Sequence, residues 1–470
     1  MKQSKGFQAL LTLFVLAFVI AGCGKGAGTA EPTSQPSAAS PTSEATKSAE
    51  TAGTQETVTV KMLTGAKSAS NDHWKRLAEA TFRDTGIKLE LVPIPGNDDA
   101  EVQKKLDVML LSGDESDLFA IPNPTGYMKY VNGGFIQPLN DIAARIGLDI
   151  EGVYGKYLTK DEQGVTYGLP YNVSKWLVFY NKAIFDEAQV PYPDSNAAWT
   201  WSEYVETAKK LTSGEGKSKI YGSYMLDYDN YLYMQARQKN VPSYKADGTL
   251  NYDDPAFKES LKFFNDLGTV HKIQPGWLEF KTQKLAWDGF MSGKYGMHII
   301  ADWYAGLLTD AKSYPRDWKV GIAPLPHPDD AGSWFNFGVT ANYVLNKNSK
   351  HPEEALKVMN YLASEGYKIT NNVPARVNWS ADDRAKFYEE TSQALNGEIT
   401  TQDFANVLSR DDEGFTDEKI MGVASSQITN IISKEADLYL TGQRSLDDTV
   451  ASIMKLGNQA IEEEKARQQK

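Results

Sequence analysis

The stretch Thr57–Ile121 constrains the fold of this chain more than any other part of its 470 residues. Val58, Val60 and Met62 alternate at the period of a strand. Trp74, Leu77, Ala78, Thr81 and Phe82 then recur at helical spacing, and Gly86 supplies a stop. Ile87, Leu89 and Leu91 alternate again, Val102, Leu106, Met109 and Leu110 form a second helical stripe closed by Gly113, and Leu118–Ile121 is a short apolar strand. Strand, helix, strand, helix, strand with short connections predicts a parallel sheet with right-handed crossovers. Ligands of such sheets sit beyond the carboxyl ends of the strands. Here those ends are Thr64–Ser70, Pro93–Asn97 and Pro122–Thr125.

The first of these ends is not a phosphate loop. Thr64-Gly65-Ala66-Lys67-Ser68 has one glycine before Lys-Ser and lacks the spacing that wraps phosphate in backbone N–H groups. No Gly-x-Gly-x-x-Gly occurs either, so the segment reads as a polar loop suited to a neutral ligand.

A chain of this length exceeds one ordinary core, and a second lobe is expected. The turn into it falls at Gly164–Lys182. Gly164, Gly168 and Pro170 punctuate the backbone, Tyr167, Tyr171 and Trp176 crowd aromatic surface around them, and Trp176–Tyr180 reads as a buried strand. Val165–Pro170 is then the crossing and Trp176–Tyr180 second-lobe core. Beyond it, Thr200-Trp201-Ser202-Glu203 fits a capping box. Strands are expected near Ile220–Met225, at Tyr295–Ile300 and at Val320–Ala323, with helices between them. Pro324-Leu325-Pro326-His327-Pro328 is too proline-dense to continue a sheet and reads as a stiff return crossing. A strand at Gly338–Leu345, a helix opening near Pro352 and stopping at Gly366, and a helical C-terminal third complete the pattern.

The N-terminus is of another kind. Lys2 and Lys5 precede an apolar run, Phe7–Ile20, of about 14 residues, short of the roughly 20 that a spanning helix needs. Met1–Gly22 therefore reads as a signal peptide. Ile20-Ala21-Gly22-Cys23 is similar to a bacterial lipobox, in which the cysteine is lipidated; an ordinary signal peptide with a chance cysteine is the alternative. Gly24–Glu56 is mostly Gly, Ala, Ser, Thr, Pro and Glu with no apolar period, a flexible linker by composition.

Several chemistries are disfavoured. With 61 acidic against 49 basic residues the chain has no nucleic-acid footprint. Its single cysteine, Cys23, allows neither a disulfide framework nor a thiolate metal cluster. The five histidines show no metal-ligand spacing, and no nucleophile elbow is present. Acid pairs (Asp98/Asp99, Asp253/Asp254, Asp382/Asp383, Asp411/Asp412) lie in polar contexts, whereas a glycosidase pair needs one carboxyl in an apolar setting. What stands out is aromatic residues at strand ends and crossings: Tyr171, Trp176, Trp303 and Trp334. Aromatic walls with a few placed polar groups suit neutral polar ligands.

Four pieces in order carry a family resemblance. They are Ala80–Ile87 with the helix to Gly113 and Asp117; Tyr167-Gly168-Leu169-Pro170-Tyr171 with Phe179-Tyr180-Asn181-Lys182 and Thr200–Glu203; Gly293-Lys294-Tyr295-Gly296-Met297 with Asp302-Trp303; and Ala323-Pro324-Leu325-Pro326 with Asn346–Ala355. From Thr57 onward the chain resembles the carbohydrate-type solute-binding lipoproteins of bacterial ABC importers, the family of maltose-binding protein. The resemblance implies an α/β, two-lobed periplasmic-binding-protein-like fold. Lobe 1 would hold 57–167 and 325–375, and lobe 2 would hold 168–324 and 376–470, behind a signal peptide (1–22) and a lipidated linker (23–56). It also implies one saccharide held between the lobes and no catalysis; no cofactor is expected, and the residue spacing offers no metal site. The protein would be a monomer anchored through Cys23 on the extracytoplasmic membrane face, delivering ligand to permease subunits. By match to the motifs, Trp303 looks like the stacking tryptophan beside Asp302, and Tyr171 like the second-lobe cleft aromatic. Gly65, Lys67, Ser68 and Asp117 look like first-lobe contacts, and Trp334 and Asn336 lie near a further cleft contact, although Phe337-Gly338 replaces the family's frequent Gly-Gly there. A surface carbohydrate-active enzyme and a ligand sensor for a signalling partner remain the alternatives.

Overall fold

The computed structural model describes residues 57–468 apart from 97–98, 123, 162, 227, 331, 371 and 411–412. The segments read from sequence as signal peptide and linker, with Cys23, lie outside the described residues.

The first sheet is the one the alternation predicts. β1 (Thr59–Gly65) runs parallel to β2 (Lys88–Ile94) on one side and to β3 (Leu118–Ile121) on the other, with Met62 opposite both Leu91 and Leu118. The helix Asp72–Thr85 is set between an Asn71 cap, which accepts from the His73 N–H, and Gly86 at φ 71°, a left-handed stop that favours glycine. Its Trp74 and Leu77 pack with Met359 and Leu362 of the helix Pro352–Ser364 against Val60, Met62 and Leu89. The other face is covered by Leu106, Leu110, Tyr127 and Tyr130, which meet Leu63, Phe119 and Ile121. A parallel sheet buried on both faces needs such two-sided cover.

Two long strands then tie this sheet to a second one. β4 (Gly168–Asn181) pairs antiparallel through Gly168–Lys175 with the later strand β8 (Phe335–Leu345), which in turn pairs with β3. The other half of β4, Trp176–Asn181, leaves the first sheet and pairs with β6 (Tyr295–Ala301) and β7 (Val320–Pro324). β5 (Tyr221–Tyr224) adds to β6 in parallel, and β9 (Gly414–Asp417) adds to the start of β8. The expected separation of a crossing at Val165–Pro170 from a core strand at Trp176–Tyr180 is therefore replaced by one 14-residue strand. Pro170 is accommodated by a shift in register between Pro170 and Asn172, a bulge that leaves Tyr171 without a ladder partner.

The proline run is not the return crossing. Trp199 Nε1 donates to the Pro324 carbonyl and Gln238 Nε2 to the Pro326 carbonyl, each at 2.7 Å, and His327 exchanges backbone hydrogen bonds with Trp199 and Trp201. Those bonds pin the run to the second core, and β8 itself carries the chain back. β8 passes so close to β4 that a Cβ on Gly338 would lie 2.1 Å from the Ser174 carbonyl oxygen. A third passage follows the helix Pro352–Ser364, where the Val173 N–H donates to the Val373 carbonyl at 3.0 Å.

The second core is the larger. It gathers Trp176–Tyr180 with Trp201, Tyr204 and Leu211 of the helix Trp201–Leu211, whose Thr200–Glu203 capping box forms as expected. The C-terminal helices Ser425–Leu440 and Leu446–Gln468 pack on it through Ile428, Ile432, Ile453 and Ile461.

Candidate functional site

β4 carries the chemistry because its two faces differ. Side chains alternate along a strand, so Asn172 and Ser174 share one face, and Val173 and Lys175 the other. On the first face the structure opens a cavity of about 440 Å³, lined by Asn172 and Ser174, by Asp302 and Trp303 just beyond β6, and by Asn372 of the third passage. A further wall includes Phe387, Tyr388 and Glu390 of the helix Ala381–Ala394 and Phe404 of the helix Thr401–Leu408.

The Asp302–Trp303 pair lies at the foot of this space. β6 ends at Ala301, and the Asp302 N–H still donates to the Lys175 carbonyl at 2.9 Å, so the next residues leave the sheet at a fixed angle. Asp302 Oδ1 accepts from the Ser174 hydroxyl at 2.5 Å, while Oδ2 finds no well-directed partner. Burial pushes this carboxyl up to about 6, with the Ser174 hydroxyl, the backbone N–H groups of Lys175 and Trp303, and the Lys175 charge pulling the other way. Trp303 is 45% exposed although Trp287 stands edge-on to it, ring centroids 5.8 Å apart. A large apolar face held in place but left open is a surface prepared for contact.

The other face of β4 is structural. Lys175 is buried, and its ammonium lies 3.2 Å from Glu413 Oε1. The same oxygen accepts from Asn336 Nδ2 at 3.0 Å, and the Glu413 carbonyl accepts from Lys156 Nζ at 2.9 Å. A larger cleft, about 1070 Å³, lies on that side, lined by Tyr157, Tyr167, Tyr244, Phe415 and several charged groups. Several of its charges are spent on neighbours, Arg237 on Thr416 and the Asp417 carbonyl, Lys245 on Asp253 and Lys465 on Glu462, while Asp417 Oδ1 is buried without a hydrogen-bond partner.

Of the residues singled out from sequence, Asp302 and Trp303 come together at the cavity. Asp117, Tyr171, Trp334 and Asn336 are placed elsewhere. Asp117 sits before β3, at the opposite end of the strands from their ligand-facing ends. Its carboxylate accepts from the Lys61 N–H at 2.8 Å and from the Ser349 hydroxyl at 2.6 Å, a clip between β1 and the approach to the helix Pro352–Ser364. Tyr171 turns into the first core and stacks on Tyr343 at 4.2 Å and 23°. Trp334 stacks on His327 at 4.2 Å and 16°, and Asn336 is buried against Glu413 and the Trp176 carbonyl. Gly65 ends β1 and leads into a short helix, Ala66–Ala69, that contains Lys67 and Ser68, whose side chains lie outside the described residues. Among the described acid pairs, Asp254 and Asp383 belong to helix N-terminal caps and Asp253 pairs with Lys245, while Asp98, Asp411 and Asp412 lie outside the described residues.

Sequence reasoning missed Asn172, Ser174, Asn372 and the wall from Phe387 to Phe404. The first two carried a signal, since a period of two through Asn172-Val173-Ser174-Lys175 separates polar from mixed faces. The wall carried none, because its helices show ordinary apolar spacing.

A family profile described as bacterial extracellular solute-binding protein matches residues 66–369. The arabinooligosaccharide-binding protein of Halalkalibacterium halodurans is 27% identical over 288 residues, 60% of this chain and 61% of that protein. The maltooligosaccharide ABC transporter solute-binding lipoprotein of Streptococcus pneumoniae is 23% identical over 348 residues, 71% of this chain and 76% of that protein. Among solved structures, an open conformation of a Rhizobium etli sugar transporter superposes with a TM-score of 0.70 at 26% identity, covering 86% of this chain and all of that one.

Proposed function

The chain belongs to the family of bacterial extracellular solute-binding proteins, with the two-lobed α/β fold of its structural neighbours, and from that premise we propose that it is a receptor for a neutral saccharide, held at Trp303 and handed to an ABC importer. The observation that carries the reading is the exposed Trp303 face beside the Asp302, Ser174 and Asn172 polar groups in one cavity. An aromatic face packs on the C–H side of a sugar ring while carboxylate, hydroxyl and amide groups bond its hydroxyls. The arabinooligosaccharide and maltooligosaccharide specificities of the two relatives agree with that recipe.

We assign β1, β2, β3 and the adjoining halves of β4 and β8 to one lobe, and the second sheet with the C-terminal helices to the other. Closure over ligand is a hinge motion about the three passages. The segment from Gly65 to Ser68, at the carboxyl end of β1, then faces the cavity from the first lobe. Asp117, Tyr171, Trp334 and Asn336 belong to the framework. Cys23 is the lipid anchor, the linker is a tether, and the receptor works as a monomer outside the cytoplasm.

Titration calorimetry of the chain from Thr57 onward against neutral mono- and oligosaccharides tests the reading: one-to-one binding to at least one of them supports it, and silence across the series contradicts it. A second reading has one observation in its favour. A carboxyl held near 6 (Asp302) in a cavity with a second carboxylate (Glu390) is the pairing a glycosidase uses. Release of reducing ends from a bound oligosaccharide would make the protein a hydrolase; the receptor reading predicts none.

A further inference from the structure

The charge of the cavity is one-sided. Among the described residues that line it, the formally charged side chains are Asp302 and Glu390, and no Lys, Arg or His joins them. Lys175, the cation beneath, points to the other face of β4 and is neutralised there by Glu413 at 3.2 Å. Asp302 cannot turn away, since Ser174 and the strand end hold it. Glu390 stands exposed on the helix Ala381–Ala394, outside residues 66–369, so this part of the wall comes from the portion of the chain that the family profile does not cover.

We propose that the site selects by charge: it admits saccharides that are neutral or carry an amino group and rejects those bearing phosphate or carboxylate. The inference rests on the reading of the cavity as a saccharide site. An anionic group entering the cavity loses its hydration and meets two carboxylates, with no cation among the described lining residues to pair with. Like charges brought together in a partly dry site repel far more strongly than in water. A hydroxyl or an ammonium group meets the same carboxylates as a hydrogen-bond donor.

The test compares glucose, glucosamine, glucuronate and glucose 6-phosphate, and a neutral trisaccharide with its terminally oxidised form, by calorimetry at low ionic strength. The anionic member of each set is expected to bind at least about tenfold more weakly than its neutral counterpart. In Glu390→Gln that ratio narrows severalfold, and it persists in Glu206→Gln, which removes an exposed carboxylate of the helix Trp201–Leu211 outside the cavity lining. Equal or tighter binding of the anions, or a ratio that Glu390→Gln leaves unmoved, overturns the proposal while leaving the saccharide reading intact.

If no saccharide binds, that reading fails and the charge claim is decided by collisional quenching. The fluorescence specific to Trp303 is the difference between wild type and Trp303→Phe. Its quenching by iodide should rise, and its quenching by caesium fall, on Glu390→Gln; no change in either overturns the proposal.

Discussion

The Ser174 hydroxyl donates to the Asp302 carboxylate at 2.5 Å, joining the strand that runs between the two sheets to the strand end that presents Trp303. The bond lies on the face of β4 that lines the cavity. It gives the carboxylate one fixed partner, while its second oxygen is buried without a well-directed one. The same arrangement has a cost in stability.

That cost predicts a pH dependence. The Asp302 carboxyl sits at about 6 in the folded chain, above the value of about 3.9 for an unfolded one. The folded state therefore binds the proton more tightly, so the group favours folding in its protonated form, and this contribution is lost as pH rises through about 6. Asp302→Asn should raise the thermal midpoint near pH 8 and lose that advantage near pH 4, while weakening saccharide binding near pH 8. Thermal unfolding followed at a series of pH values, with and without ligand, reads both effects. An Asn variant less stable than wild type near pH 8 would show that the carboxylate is held by partners stronger than Ser174.

Trp303 should behave in the opposite way. Its ring is 45% exposed and its removal empties little core. Trp303→Ala is expected to change stability by no more than about 1 kcal/mol. It should weaken saccharide binding by about tenfold or more, the loss of a stacking face worth about 1–3 kcal/mol. A urea titration and a binding isotherm on the same preparation separate the two quantities.

Lys175 and Glu413 make a buried pair whose members cannot be lost singly. Glu413→Ala leaves the Lys175 ammonium buried without its carboxylate, and removing one partner of such a pair costs about 3–5 kcal/mol. The double variant Lys175→Met with Glu413→Ala should be more stable than Glu413→Ala alone, because no uncompensated charge remains. Urea unfolding midpoints check the order. Equal midpoints for the single and double variants would mean that the pair contributes nothing.

The alternation around β1, β2 and β3 was legible because each buried face there repeats at its own period. The place of Trp303 was legible as that of an aromatic residue just past a strand, and Asp302 came with it in the motif that carries the family resemblance. Asp117 and Tyr171 lie away from the cavity for one reason. Position relative to a motif says which loop or strand holds a residue, and contacts decide its use: Asp117 is taken by the Lys61 N–H and Ser349, and Tyr171 is turned onto Tyr343 by a one-residue bulge. The proline run was assigned to a crossing on stiffness alone. The partners that hold it, Trp199 and Gln238, lie more than eighty residues away in sequence. Phe387, Tyr388 and Phe404 reach the cavity through packing of two helices, which periodicity cannot foretell.

A crystal structure grown with the tightest-binding neutral oligosaccharide is the most direct measurement. The expected result is a sugar ring lying on the Trp303 face at van der Waals distance, about 3.5–4 Å, with hydroxyls donating to Asp302 and reaching Ser174 or Asn172. Density for the sugar in the larger cleft beside Tyr157 and Phe415, with the Trp303 face bare, would contradict it.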